Sequence, residues 1–308
     1  MIIHDTLGLI GNTPLVKLNK LSSPDSIIYA KLEYIQPGGS IKDRAALQII
    51  TDSYKNRQLV NGQPVIEMTS GNMGSGLAVV CGQIGNPFIA VMPKGNSPER
   101  IKILESLGAE VVLTEQVDGI QGMVTGKDIE HAAGIAKKLA AKKKGLYVDQ
   151  FNNPSGITAH YLTTGPEIYN DLPEIDAFIS VVGSGGTFTG IASFLKEQNR
   201  SIKCIAVEPE NAAILKSGKV NSAKHIIQGT GYGLIPPHWN KNLADDIVTV
   251  SDTEVKNMTL RLWTEQGLFA GYSSGANVAA ALKFANENFE VKNIVTILCD
   301  TGFKYSGF

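Results

Sequence analysis

The sequence predicts an α/β protein of two lobes, each a mainly parallel sheet covered by helices, with a cleft between them. Three observations carry that expectation. Short β-branched runs are apolar throughout, as strands covered on both faces must be, and helical patterns separate them. Asn152-Asn153-Pro154 interrupts this alternation near mid-chain, placing a boundary near Asp149 to Pro154. Small-residue loops rich in glycine, serine and threonine stand where a strand gives way to a helix, a position that exposes backbone N–H groups.

Taken in order, Pro64 to Met68 reads as a strand and Gly74 to Cys81 as a small-residue helix. Pro87 to Met92 is a strand, followed by a helix from Pro98 to Leu107. Glu110 to Leu113 is the next strand, and Lys127 to Lys144 a long helix closed by Gly145. The rhythm resumes with strands at Ala177–Val182, Lys203–Val207 and Asn293–Leu298. The basic run Lys142-Lys143-Lys144 sits at a helix C-terminus, where cations are favoured, so it reads as a solvated helix end.

Composition narrows the class. The 308 residues are 43% hydrophobic and 19% charged, ordinary for a globular enzyme. Basic and acidic side chains number 28 and 29, a net charge of −1 that leaves no electrostatic footprint for nucleic acid. Cys81, Cys204 and Cys299 are scattered, as are the five histidines, so neither a disulfide framework nor a zinc template is expected. Each cysteine reads as a small buried apolar residue. Met1 to Asp5 carries no basic segment ahead of an apolar stretch, and no apolar run reaches the ~20 residues of a membrane helix. A cytoplasmic protein is expected.

Four segments stand out chemically. Pro37-Gly38-Gly39-Ser40-Ile41-Lys42-Asp43-Arg44 puts a lysine between a glycine turn and a helical run, with Ser40 placed to cap the helix. A cation in a first helical turn opposes the helix dipole, so Lys42 is a candidate amine nucleophile; a solvated cluster opening a helix is the structural reading. Thr69-Ser70-Gly71-Asn72-Met73-Gly74 offers hydroxyls, an amide and N–H groups, which suit a carboxylate and a ring hydroxyl, or simply cap a helix. Gly183-Ser184-Gly185-Gly186-Thr187 follows a strand and opens a helix, a cradle for phosphate without the lysine of a P-loop. In Gly271-Tyr272-Ser273-Ser274-Gly275 a serine could cap the following helix or meet a heteroaromatic nitrogen.

A dinucleotide site competes for the third loop, with Glu208 at the end of the next strand as the ribose-binding acid. Phe188 stands where the third glycine would be required, so phosphate without a dinucleotide fits better.

A lysine at a helix start, a phosphate cradle, a carboxylate loop and a serine loop together describe a pyridoxal phosphate site. With Ile10-Gly11-Asn12-Thr13-Pro14-Leu15, these segments resemble the cysteine synthase and cystathionine β-synthase family, fold-type II pyridoxal phosphate enzymes related to tryptophan synthase β. The likeness covers nearly the whole chain. It implies a smaller, mobile lobe of residues 35–149 and a larger lobe of 1–34 plus 150–308 carrying the phosphate loop.

The resemblance also implies roles. Lys42 matches the Schiff-base lysine, Asn72 the contact to the ring hydroxyl, and Gly183, Ser184, Gly185, Gly186 and Thr187 the phosphate loop. Ser273 matches the serine facing the pyridine nitrogen, with Ser274 adjacent. Thr69, Ser70, the Met73 backbone and Gln150 match the contacts to the substrate carboxylate. Met73 replaces a common threonine, and Tyr232 in Gly229-Thr230-Gly231-Tyr232-Gly233 is closer to the cystathionine β-synthase pattern. Cys299-Asp300-Thr301-Gly302 also departs from the usual cysteine synthase ending.

The activity implied is β-replacement on O-acetylserine or a related substrate, with sulfide as nucleophile and Lys42 as base. A variant of the same chemistry would use homocysteine or cysteine, giving cystathionine, or lanthionine with release of hydrogen sulfide. A homodimer, and serine acetyltransferase as a partner, are further implications. The competing classes are a dinucleotide-dependent oxidoreductase and a non-catalytic binding protein.

Overall fold

Runs such as Val65–Met68 and Phe88–Pro93 are buried at every position, so their backbones extend between covered layers, while stretches rich in alanine and glycine coil over them. The computed structural model of the chain describes residues 2–222 and 224–305. It opens with β1 (Leu15–Lys17), β2 (Ile27–Leu32), α1 (Lys42–Lys55), β3 (Val65–Met68) and α2 (Asn72–Ile84). Next come β4 (Phe88–Pro93), α3 (Pro98–Ser106), β5 (Glu110–Thr114), α4 (Gly126–Lys143) and β6 (Leu146–Tyr147). A helical stretch follows as α5 (Ser155–Ala159), a π-helical turn His160–Thr164, and α6 (Gly165–Asp171). After β7 (Ala177–Val181), α7 (Gly186–Gln198), β8 (Lys203–Pro209) and α8 (Ile214–Ser217) come β9 (Asp246–Val250), α9 (Asp252–Gln266), α10 (Tyr272–Glu287) and β10 (Asn293–Leu298).

The chain divides into two compact units, Met1–Ile10 with Gln36–Gly156, and Gly11–Ile35 with Ile157–Phe308. In the first, Leu7 and Ile10 pack against one apolar cluster and Phe151 against another. Its sheet runs β5-β4-β3-β6, parallel throughout. One cluster gathers Ile49, Leu77 and Phe88; the other sets Ile66 and Ile89 against Ala132, Ala136 and Ala140 of α4. Helices α1 and α2 approach so closely that a Cβ on Gly76 would lie 3.2 Å from both the Ala46 Cβ and the Asp43 Cα. The start of α4 is fixed by Thr125, whose side chain accepts the Asp128 N–H while Asp128 returns the bond.

The second unit carries a six-stranded sheet, β1-β2-β10-β7-β8-β9, in which only the β1–β2 pairing is antiparallel. Small residues on α10 let it nest against the sheet and α9; a Cβ on Gly275 would collide with Thr259 Oγ1. The long runs of the sequence are strands as expected. Strands β1, β2, β6 and β9 escape the periodicity because they are short or mixed. In β2, Lys31 interrupts the apolar pattern yet is buried, its Nζ bonded to Thr13 O at 2.6 Å and paired with Glu167 at 3.0 Å and Asp171 at 3.4 Å. Among the described residues, no helix is long and apolar enough to cross a membrane.

Candidate functional site

In the first unit, a turn closed by Gly39 N–H donating to Gln36 O leads into α1, with Gly39 at φ +73°. Gly38 has no room for a side chain: a Cβ would sit 2.5 Å from Asp43, whose carboxylate accepts the Gly38 N–H. Lys42 is the first residue of α1 and half-buried. The cap differs from expectation by one residue. Ile41 stands at the N-cap with its own backbone already helical and no side-chain cap, and Ser40 Oγ accepts the Lys42 N–H at 3.3 Å from one position upstream. Asp43, in the same first turn and buried, supplies the negative charge that this helix end favours.

The Thr69 loop issues from β3. Thr69 Oγ1 accepts N–H groups from Gly71 at 3.4 Å and Gly74 at 3.2 Å, shaping the turn into α2. Gly71 caps α2 without a side chain. Ser70 Oγ accepts from Arg100 Nη1 at 3.1 Å, which brings a cation to this loop. Asn72 opens the helix, half-buried. The Met73 side chain is buried in the unit's core, so it does not crowd a ligand; its backbone N–H meets no protein acceptor among the described residues.

Gln150 is brought to the same loop. Its Nε2 donates to Met68 O at 3.3 Å, next to Thr69. Beneath lies Glu67, fully buried, whose carboxyl accepts the Asp149 N–H at 2.9 Å. Burial pushes the Glu67 carboxyl up to about 8, although the neighbouring Asp149 and Gln150 groups act to lower it.

The second unit holds the glycine turn. Gly185 caps α7 in the left-handed region, at φ +91°, with no side-chain cap. A Cβ on Gly183 would lie 2.5 Å from Gly229 O, and one on Gly185 would lie 2.8 Å from Trp239 N. Among the described residues, no backbone N–H of Gly183, Ser184, Gly185, Gly186 or Thr187 donates to a protein acceptor. A run of uncommitted N–H donors at a helix start, with no space for a Cβ, fits a phosphate dianion. Thr187 Oγ1 lies 3.2 Å from Nε2 of the buried His160, whose Nδ1 lies 2.9 Å from Thr164 Oγ1.

The adjacent serines of α10 part company. Ser274 Oγ accepts the Cys299 N–H at 2.9 Å, whereas the Ser273 hydroxyl has no protein partner among the described residues. Tyr232 is about 39% exposed, its hydroxyl 3.9 Å from where a Cβ on Gly229 would stand. Glu208 is committed elsewhere: its carboxylate accepts the N–H groups of Leu215 and Lys216, at 2.9 and 2.8 Å, and caps α8. That removes the acid a dinucleotide ribose would need. Burial pushes the Cys81 and Cys204 thiols up to about 12, which leaves them inert.

Sequence reasoning missed Glu67, Arg100 and His160. None lies in a small-residue loop, and each reaches a loop only through the fold.

Residues 6–300 match the family model described as pyridoxal-phosphate dependent enzyme. The chain is 37% identical over 306 residues to a cysteine synthase of Staphylococcus aureus, covering 98% of this chain and 95% of that protein. Its fold is similar to the crystal structure of O-ureido-L-serine synthase, with a TM-score of 0.92, 35% identity and coverage of 100% and 95%. It is also similar to an O-acetylserine dependent cystathionine beta-synthase from Helicobacter pylori, with a TM-score of 0.88, 37% identity and coverage of 99% and 98%.

Proposed function

The chain belongs to the family of pyridoxal-phosphate dependent enzymes, in its cysteine synthase and cystathionine β-synthase branch, and we propose that it makes cysteine from O-acetylserine and sulfide by β-replacement, the Cβ–O bond breaking to release acetate as the Cβ–S bond replaces it. The observation that carries the cofactor assignment is the glycine turn with its run of uncommitted N–H groups. When bound, pyridoxal phosphate supplies an electron sink for loss of the Cα proton.

The chain's residues do the rest. Gly183, Ser184, Gly185, Gly186 and Thr187 would hold the phosphate, Asn72 the ring hydroxyl, and Ser273 the ring nitrogen. Lys42 would provide the amine that anchors the cofactor, and its Nζ would take the Cα proton of the substrate. Thr69, Ser70, the Met73 N–H and Gln150 take the substrate α-carboxylate, with Arg100 adding positive charge through Ser70. Tyr232 would contribute to the selection of the nucleophile. A homodimer, a cytoplasmic location and a serine acetyltransferase partner rest on the family resemblance.

A second reading is favoured by Tyr232 and by the likeness to the Helicobacter pylori protein. In it, homocysteine or cysteine replaces sulfide. The test presents O-acetyl-L-serine with sulfide, cysteine and homocysteine in competition and analyses the products. Cysteine should dominate; a dominant cystathionine or lanthionine product would replace the first reading with the second. Lys42→Ala should lose turnover with every nucleophile while remaining folded, and near wild-type turnover would remove Lys42 from its role.

A further inference from the structure

Glu67 is an ionisable residue in the interior strand β3, with about 1% of its surface exposed. Burying a carboxyl there is unfavourable by several kcal/mol unless donors compensate it, and an apolar residue would fill the space more cheaply. Its carboxyl accepts the Asp149 N–H, from the segment that carries Gln150. There the parallel ladder between β3 and β6 changes character. Leu146 N–H donates to Pro64 O and Val148 N–H to Ile66 O, so regular pairing would next send the Gln150 N–H to Met68 O.

That bond is exchanged. The Gln150 N–H does not reach Met68 O, and the Gln150 side chain takes its place there, Nε2 donating at 3.3 Å. The departure requires Asp149 at φ +54°, a left-handed conformation that a non-glycine residue holds only when its surroundings impose it. In that conformation Asp149 donates its N–H to the Glu67 carboxyl at 2.9 Å, while its carbonyl accepts from Asn152 and Asn153.

We propose that Glu67 is a positioning residue: its buried carboxyl draws the Asp149–Gln150 backbone off the ladder and sets the Gln150 amide at the entrance of the Thr69–Met73 loop, where it meets the substrate α-carboxylate. This rests on the reading that Gln150 and that loop bind an amino-acid carboxylate. Glu67 itself touches neither substrate nor cofactor. It acts through Gln150.

The experiment compares Glu67→Leu, Glu67→Gln and Gln150→Ala in the cofactor-loaded enzyme with O-acetyl-L-serine and sulfide. Glu67→Leu should raise the KM for O-acetyl-L-serine about tenfold, as expected for loss of one hydrogen bond to a charged group, leaving kcat and the sulfide KM within about twofold. Glu67→Gln keeps the shape and one acceptor oxygen, so its KM should rise only about threefold. In the cofactor-free protein, amide hydrogen exchange at Asp149 and Gln150 should accelerate in Glu67→Leu and not along β4. If both Glu67 variants keep the wild-type KM while Gln150→Ala raises it, the proposal is overturned and the site reading stands. If Gln150→Ala also leaves the KM unchanged, the carboxylate reading itself fails and the proposal with it. Should Glu67→Leu not fold, Glu67→Gln decides alone: an unchanged KM overturns the proposal.

Discussion

Ser274 commits its hydroxyl to the Cys299 N–H, while Ser273, one residue earlier on α10, leaves its own available. Sequence spacing leaves the pair open; the hydrogen bond separates them. Removing the Ser274 acceptor strands a partly buried N–H, so Ser274→Ala should lower stability by about 1 kcal/mol with little change in the spectrum of bound cofactor. Ser273→Ala should do the reverse, keeping the denaturation midpoint and altering the spectrum and kcat. Midpoints and spectra measured together decide this, and the opposite pattern would exchange the two roles. Glu208 is a similar case. Its place at the end of β8 suits a ribose contact on sequence grounds, yet two N–H groups of α8 occupy it.

Among the elements, the turn from β7 into α7 was the most legible in sequence, because glycine spacing after an apolar strand reports a backbone requirement directly. Gly185 needs a positive φ and has Trp239 N where a Cβ would go. Gly185→Ala therefore introduces strain of roughly 1–2 kcal/mol, and Gly185→Asp adds a negative charge facing the N–H groups meant for a phosphate. Pyridoxal phosphate occupancy should fall modestly in the alanine variant and at least tenfold further in the aspartate variant, measured by equilibrium titration of the refilled apoprotein. Equal occupancy in the two would mean that the phosphate is held elsewhere. The Thr69 loop was less legible. Its hydroxyls were visible, but Arg100 reaches Ser70 from α3, thirty residues on, and no local pattern announces that contact.

For the molecule as a whole, Lys31 shows how a polar residue can belong to a core. It joins β2 to Thr13 and to Glu167 and Asp171 on α6, and it disguises β2 as a non-strand in the sequence. Lys31→Met leaves Glu167, which is mostly buried, without its ammonium and should lower unfolding stability by about 3 kcal/mol, read by chemical denaturation. A loss below about 0.5 kcal/mol, the range of ordinary surface substitutions, would show that the carboxylates are solvated without it. By itself the sequence determined the α/β class, the long strands and helices, the four small-residue loops and the family, because periodicity and glycine placement act over a few residues. Only the tertiary structure decided which serine is available, that Glu208 caps a helix, that Met73 is core, and that Glu67 accepts the Asp149 N–H. These depend on contacts between separate elements, 82 positions apart for Glu67 and Asp149, and such contacts arise from how the elements pack rather than from the pattern within any one of them.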